Sequence, residues 1–270
     1  MSSESKSPIR SIAVHDAAFC SETELLDICK RSADGEAIYC GRNTLHSLSF
    51  RGQKLAVKAF GVPWGIRKWI YGSFRASKAL RSFNNAGRLI QLGFGTPSPV
   101  GYVEFGGRFQ LVESFYVSCF LGSDSNTFTI RDALLDAHFY DRESLLHNFG
   151  RYACALHDSH IVHRDFSPGN ILVTRTPQSE MRFRFDLVDV NRMSFQPLSE
   201  RERMSNLKML WATDDDLKQI VAGYAEASRR PFKRLLDNAV LASRAHRKAS
   251  HSKELWKQRL GKLFGIKGMS

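Results

Sequence analysis

The spacing of apolar residues predicts a chain that is sheet-rich first and helix-rich afterwards. A short helix is expected from Glu22 to Arg31, then a strand near Ala37–Cys40. Thr44–Phe50 sets Leu45, Leu48 and Phe50 among polar residues, and after the Arg51-Gly52-Gln53 turn comes Leu55–Phe60, giving a β-meander. From Ile66 to Leu92 the period becomes helical and basic, and it stops at Gly93 with Pro97 and Pro99 beyond. Two more strands, Val100–Phe105 and Arg108–Phe120, flank Gly106-Gly107. Helical period then dominates: Thr129–Ala137, Arg142–Ser159, Thr213–Ala227, Phe232–Arg247 and His251–Phe264, broken by short β runs at Ile171–Thr174 and Arg184–Val190. This order predicts an α+β fold of two lobes, a small β-rich one and a larger helical one, with a cleft that suits a nucleotide.

Composition narrows the picture. With 270 residues and 43% hydrophobic content the chain can build one large two-lobed domain. No window reaches the ~18 apolar residues that a membrane span needs. The opening MSSESKSPIR has no apolar stretch of the kind that leads a protein to export, so residues 1–10 read as a disordered polar tail and the chain is expected in the cytosol. Five scattered cysteines (Cys20, Cys29, Cys40, Cys119, Cys154) show no metal-ligand spacing and read as plain thiols in a reducing compartment. The net charge of +12 is concentrated at the end, where Arg229–Ser270 holds twelve Lys/Arg against Asp237 and Glu254 alone. An anionic neighbour is expected there. Nucleic acid is not, because the tail lacks aromatic interleaving and any known module.

The chemistry lies in three separated stretches. His163-Arg164-Asp165-Phe166-Ser167-Pro168-Gly169-Asn170 matches the kinase catalytic loop H-R-D-x-x-x-x-N. Phosphoryl transfer needs a carboxylate beside the acceptor hydroxyl and hard oxygen ligands for Mg²⁺ on the ATP phosphates. Asp165 supplies the first, as catalytic base, and Asn170 contributes to the second. Asp189 ends an apolar strand 24 positions after Asp165, where kinases place a metal-binding Asp, although the motif here reads Asp189-Val190-Asn191. Asp186, three residues earlier, is the competitor, with a solvated strand residue as its plain reading. Leu55-Ala56-Val57-Lys58 is close to the V-A-I-K strand whose lysine reaches the phosphates of ATP.

Two parts are weaker. In place of a glycine-rich phosphate loop there is only Gly41-Arg42-Asn43-Thr44, whose Gly41 and Arg42 are ATP-binding candidates. The helical Glu that would pair with the lysine is missing, since Lys78–Leu92 holds no acid. Asn84 is the polar group at that depth, either as a hydrogen-bond partner of Lys58 or as a surface asparagine.

On these residues the chain resembles the lipopolysaccharide core kinases of the Kdo/WaaP type. The likeness spans roughly residues 35–230, through Gly41-Arg42-Asn43, Ala56-Val57-Lys58, Ser82-Phe83-Asn84-Asn85-Ala86, Thr96-Pro97-Ser98-Pro99, Leu156-His157, His163–Leu172 and Leu187–Arg192. Relatives usually carry Glu at the position of Asn84. The resemblance implies a protein-kinase-like fold, with an N-lobe over 11–121, a C-lobe over 122–230 and a basic helical extension over 231–270. It implies ATP and Mg²⁺ as cofactors and, as acceptor, a Kdo or heptose hydroxyl of lipid A-linked core oligosaccharide at the cytoplasmic face of the inner membrane. Asn191–Glu200 holds no A-P-E segment for docking a peptide, which also favours a non-protein acceptor. Trp256, Leu260, Leu263 and Phe264 share a face of the last helix among lysines and arginine. That pattern suits an anionic membrane surface or a helix packed on the large lobe. A protein or small-molecule kinase, or a weakly active pseudokinase-like binding module, are the alternatives.

Overall fold

The computed structural model describes residues 7–61, 76–107, 110–122, 126–176 and 182–264, with side chains described as far as residue 252. It divides into two compact units, residues 1–128 with 186–193 and residues 129–185 with 194–270.

Among the described residues, the first unit is a six-stranded antiparallel sheet with two helices. Its strands are β1 (Ile9–Val14), β2 (Glu36–Cys40), β3 (Asn43–Phe50), β4 (Gln53–Phe60), β5 (Pro99–Gly107) and β6 (Gln110–Cys119), in the order β1-β5-β6-β4-β3-β2. Helix α1 (Glu22–Lys30) opens with a capping box in which Ser21 and Glu24 satisfy each other's backbone N–H groups. Leu25, Ile28 and Cys29 of α1 join Leu55, Val57, Val103, Phe115 and Val117 of the sheet in one core. Gly101 makes this approach possible, because a Cβ there would lie 2.5 Å from the Leu25 side chain and 2.6 Å from the Ala13 carbonyl oxygen. Strand alternation turns Lys58 and Phe60 to the other face of β4 from Leu55 and Val57. Helix α2 (Lys78–Gln91), capped by Ser77, completes the unit; its expected start at Ile66 lies outside the described residues.

Two sequence expectations are corrected here. Residues 9 and 10 are not tail but the start of β1, which pairs with β5 from Ile9↔Phe105 to Val14↔Gly101. Six residues with interrupted alternation carry too weak a period, and the partner strand decides. Residues 186–193, which the sequence assigns to the second lobe, belong to the first unit. Leu187 N–H donates to the Gly95 carbonyl at 2.9 Å and the Thr96 hydroxyl donates to the Leu187 carbonyl at 2.7 Å.

The short strand β7 (Thr127–Thr129) leads into the second unit, which contains helices α3 (Ile130–Leu135), α4 (Arg142–Asp158), α5 (Glu200–Leu207), α6 (Asp214–Ser228) and α7 (Phe232–Phe264). Strands β8 (Ile161–His163) and β11 (Met193–Phe195) pair, as do β9 (Ile171–Arg175) and β10 (Phe183–Leu187). The sequence suggests two helices after Phe232; the structure makes one, since residues 248–250 hold neither Gly nor Pro to break it. No helix among the described residues is long and apolar enough to cross a membrane.

His157 of α4 ties the helices together. Its Nδ1 lies 3.1 Å from the Tyr224 hydroxyl and its Nε2 3.2 Å from Asn206 Oδ1, contacts that a neutral ring satisfies with Nε2–H donating. Burial pulls its pKa from 6.5 down to about 4. Below pH 6.5 the unfolded chain takes up a proton that the folded chain refuses until about pH 4. The group's contribution is therefore complete above pH 6.5 and lost as pH falls through that window, roughly 3 kcal/mol in all. Denaturant melts at several pH values are expected to show this slope, and His157→Gln to flatten it. An unchanged slope in the variant would reject the assignment.

Candidate active site

In the first unit the end of β10 delivers a carboxylate to the lysine face of the sheet. Lys58 Nζ donates to Asp189 Oδ1 at 2.7 Å across 131 positions of sequence. Asp189 sits in the left-handed region (φ 55°), a conformation that costs a non-glycine residue on the order of 1 kcal/mol or more, and a 3-10 turn, Val190–Arg192, follows it. Three side chains hold that turn. Asn191 Nδ2 donates to Asp189 Oδ1, Arg81 Nη1 donates to the Asn191 carbonyl at 3.0 Å, and Asn85 Nδ2 donates to the Val190 carbonyl at 2.7 Å. Helix α2 thus secures the aspartate's backbone where a kinase would use a helical Glu on the lysine.

Positive charge gathers around this carboxylate. Lys78, at the start of α2, donates to Asn43 Oδ1 at 3.2 Å, and the amines of Lys58 and Lys78 each lie 5.5 Å from the centre of the Phe60 ring. Burial first, then the neighbouring charge of Arg42, pull the Lys78 pKa down to about 8, with Arg192 and Lys58 adding to the effect and Asp189 opposing it. Such a cluster of cations beside one carboxylate is a place for phosphate groups.

The His163–Asn170 loop, the predicted catalytic loop, belongs to the second unit. Phe166 anchors it: the ring is 1% exposed and its centroid is 5.6 Å from that of Phe149 on α4, beside Phe185 and Tyr152. Asp165 N–H donates to His163 Nδ1 at 3.2 Å, and Asn170 Nδ2 donates to the Asp165 carbonyl at 2.9 Å. With its nitrogen committed, Asn170 has its side-chain oxygen left for another partner. Asn206 Nδ2 donates to the His163 carbonyl at 3.1 Å, which links the loop to the His157 network.

The predicted residues fall as follows. Lys58 and Asp189 meet, and Asp165 and Asn170 meet. Gly41 and Arg42 form the exposed turn between β2 and β3, and the charge of Arg42 acts on Lys78. Asp186 is buried, not solvated, and bridges to Gly95. Asn84 is exposed and makes no hydrogen bond to Lys58 among the described residues; Asn85 is the asparagine that faces the aspartate's turn. Lys78, Arg81, Asn85 and Arg192 were not anticipated as site residues. A signal was available, because Lys78, Arg81 and Asn85 stand at i, i+3 and i+7 on one helix face.

The arrangement, a central-strand lysine on a strand-end aspartate together with an H-R-D loop closed by an asparagine, defines a kinase-like fold. The solved structure of WaaP in complex with acyl carrier protein is similar, with 20% identity, a TM-score of 0.62, and coverage of 89% of this chain and 98% of that one. Rio2 kinase from Chaetomium thermophilum matches at 15% identity and a TM-score of 0.48 over 83% of this chain and 75% of its own. No curated protein sequence matches. The chain belongs to the lipopolysaccharide kinase (Kdo/WaaP) family, whose sequence model matches residues 66–224, more than half of its length. It is therefore a kinase, a phosphotransferase. Asn84, Asp165, Asn170 and Asp189 lie inside the matched stretch, while Gly41, Arg42 and Lys58 lie before it.

Proposed function

We propose that the protein transfers the γ-phosphate of ATP to a hydroxyl of a Kdo or heptose sugar in the lipopolysaccharide inner core, working at the cytoplasmic face of the inner membrane. The observation that carries the reading is the 2.7 Å contact of Lys58 with Asp189 amid the Arg42–Lys78–Arg192 charge. The residues suit a magnesium nucleotide: Asp189 offers a carboxylate and Asn170 an amide oxygen, both hard ligands, and the cations suit phosphates. Bound Mg²⁺ supplies neutralisation of phosphate charge as the phosphoryl group departs. Lys58 orients the phosphates. Asp165, held by its backbone bonds to His163 and Asn170, accepts the proton of the sugar hydroxyl. The basic C-terminal segment favours an anionic membrane; the side chains of Trp256, Leu260, Leu263 and Phe264, which the sequence places on one face, lie outside the described residues. A protein partner is a second use of that basic segment, since the similar WaaP was solved with acyl carrier protein.

Radiolabelled ATP offered with Kdo-lipid A, heptosylated core and a mixed protein pool tests this. Label is expected on a saccharide, and label on protein alone would reject the acceptor class. With acceptor in phosphatidylglycerol vesicles, deleting residues 250–270 is expected to weaken vesicle binding more than transfer to a soluble sugar. Equal vesicle binding would exclude the membrane role.

A further inference from the structure

A cavity of about 350 Å³ opens in the second unit against the catalytic loop itself. Ser167 and Pro168, two and three residues past Asp165, form one wall; Arg131, Leu135, Trp211 and Thr213 are among the others. Its size falls in the small-molecule range of about 300–1,000 Å³. A similar cavity of about 360 Å³ lies against α5 and α7, but it touches no residue of the loop.

Three features give the loop-side cavity a chemical character. Arg131 packs over the loop, and a Cβ on Gly169 would fall 2.3 Å from its guanidinium, so the glycine leaves room for it. Arg131 is an exposed residue, and its guanidinium has no ion-pair or hydrogen-bond partner among the described residues. Asp216 also lines the cavity, and its charge is met by Arg142 at 2.6 Å. An unpaired arginine in a cavity suits a carboxylate or phosphate, which it can take bidentately.

Trp211 is the second feature. It is half exposed and sits in the left-handed region (φ 56°), which is rare for so bulky a residue. Its ring is backed by His246 at 4.8 Å between centroids. A strained, half-open aromatic at a cavity wall offers a flat apolar face with a polar N–H edge. The third feature is the Ser167 hydroxyl, on the loop that carries Asp165, which suits the hydroxyls of a carbohydrate.

We propose that this cavity is the acceptor subsite and takes an anionic sugar, its carboxylate or phosphate on Arg131 and its apolar ring face on Trp211. The inference rests on the sugar-kinase reading above and deepens it. Trp211 and Arg131 select the sugar, and the loop wall at Ser167 holds it two residues along the chain from Asp165, the proposed base.

Binding of free Kdo, of glucose 6-phosphate and of a neutral heptose to the full chain, measured calorimetrically, tests it. Arg131→Ala is expected to weaken the charged sugars about tenfold or more while sparing the neutral one, with Arg131→Lys recovering part of the loss. Kdo and the sugar phosphate separate the two anion sources by which binds tighter. Trp211→Ala is expected to weaken all three several-fold, and Trp211→Phe less. Wild-type affinity in both alanine variants, or no binding of either anionic sugar by the wild type, overturns the site. Binding that depends on both residues without any phosphoryl transfer would reject the kinase reading and leave the site standing. Transfer indifferent to both substitutions would do the reverse.

Discussion

Asp165→Asn is expected to lower kcat by about 10²–10⁴-fold, the usual worth of a positioned general base. That is about 3–5 kcal/mol added to the barrier. The substitution is nearly isosteric, and it leaves untouched the two bonds that shape the loop, Asp165 N–H to His163 and Asn170 to the Asp165 carbonyl, because both use backbone atoms of residue 165. At the reacting position, the ability to take a proton is lost. Phe166 stays buried against Phe149, so the loop keeps its anchor. Nucleotide affinity, which the proposed function assigns to Lys58, Lys78 and Asp189 of the other unit, is expected to stay near the wild-type value. Single-turnover transfer to the saccharide acceptor, alongside a nucleotide titration, reads both quantities. Turnover within a few-fold of wild type would remove Asp165 from the mechanism.

Gly223→Ala is expected to destabilise the second unit by about 3 kcal/mol or more, the upper range for overpacking. On helix propensity alone the change should stabilise by up to ~1 kcal/mol, so the sign itself is diagnostic. The reason is the crossing of α4 and α6. A Cβ on Gly223 would lie 1.9 Å from the His147 carbonyl oxygen, and one on Gly150 would lie 1.8 Å from that of Ile220. Each glycine faces backbone of the partner helix, which cannot rotate away as a side chain could. The helices must part, loosening Tyr224 from His157 and, through Asn206, the support under His163. A melting-temperature loss of roughly 6–12 °C follows for a protein of this size. The Gly150→Ala/Gly223→Ala pair is expected to cost less than the sum of the singles, because one substitution already opens the shared contact. A stabilised Gly223→Ala would show that the helices do not touch there.

Much of the candidate site could be read along the chain because its chemistry is local. The H-R-D-to-Asn spacing places Asp165 and Asn170 on one tight loop, and the two-residue period of β4 separates Lys58 from the core side of its strand. Asn84 was the wrong asparagine for a geometric reason. One residue on a helix is a rotation of about 100°, and α2 carries no acidic residue to mark which face meets the aspartate. Lys78 and Arg192 are 114 positions apart, and nothing local relates them.

The order of β then α elements, the three motifs and the excess of cations near the end were determined by the sequence alone, since each depends on neighbours within a few residues. The tertiary structure decided which unit claims residues 186–193, that Lys58 rests on Asp189, and that Asn85, not Asn84, holds the aspartate's turn. It also decided that Arg131 and Trp211 share a cavity with Ser167 and Pro168 of the H-R-D loop. These are contacts between segments distant in the chain, and their free energy comes from packing and charge pairing that no short window of residues contains.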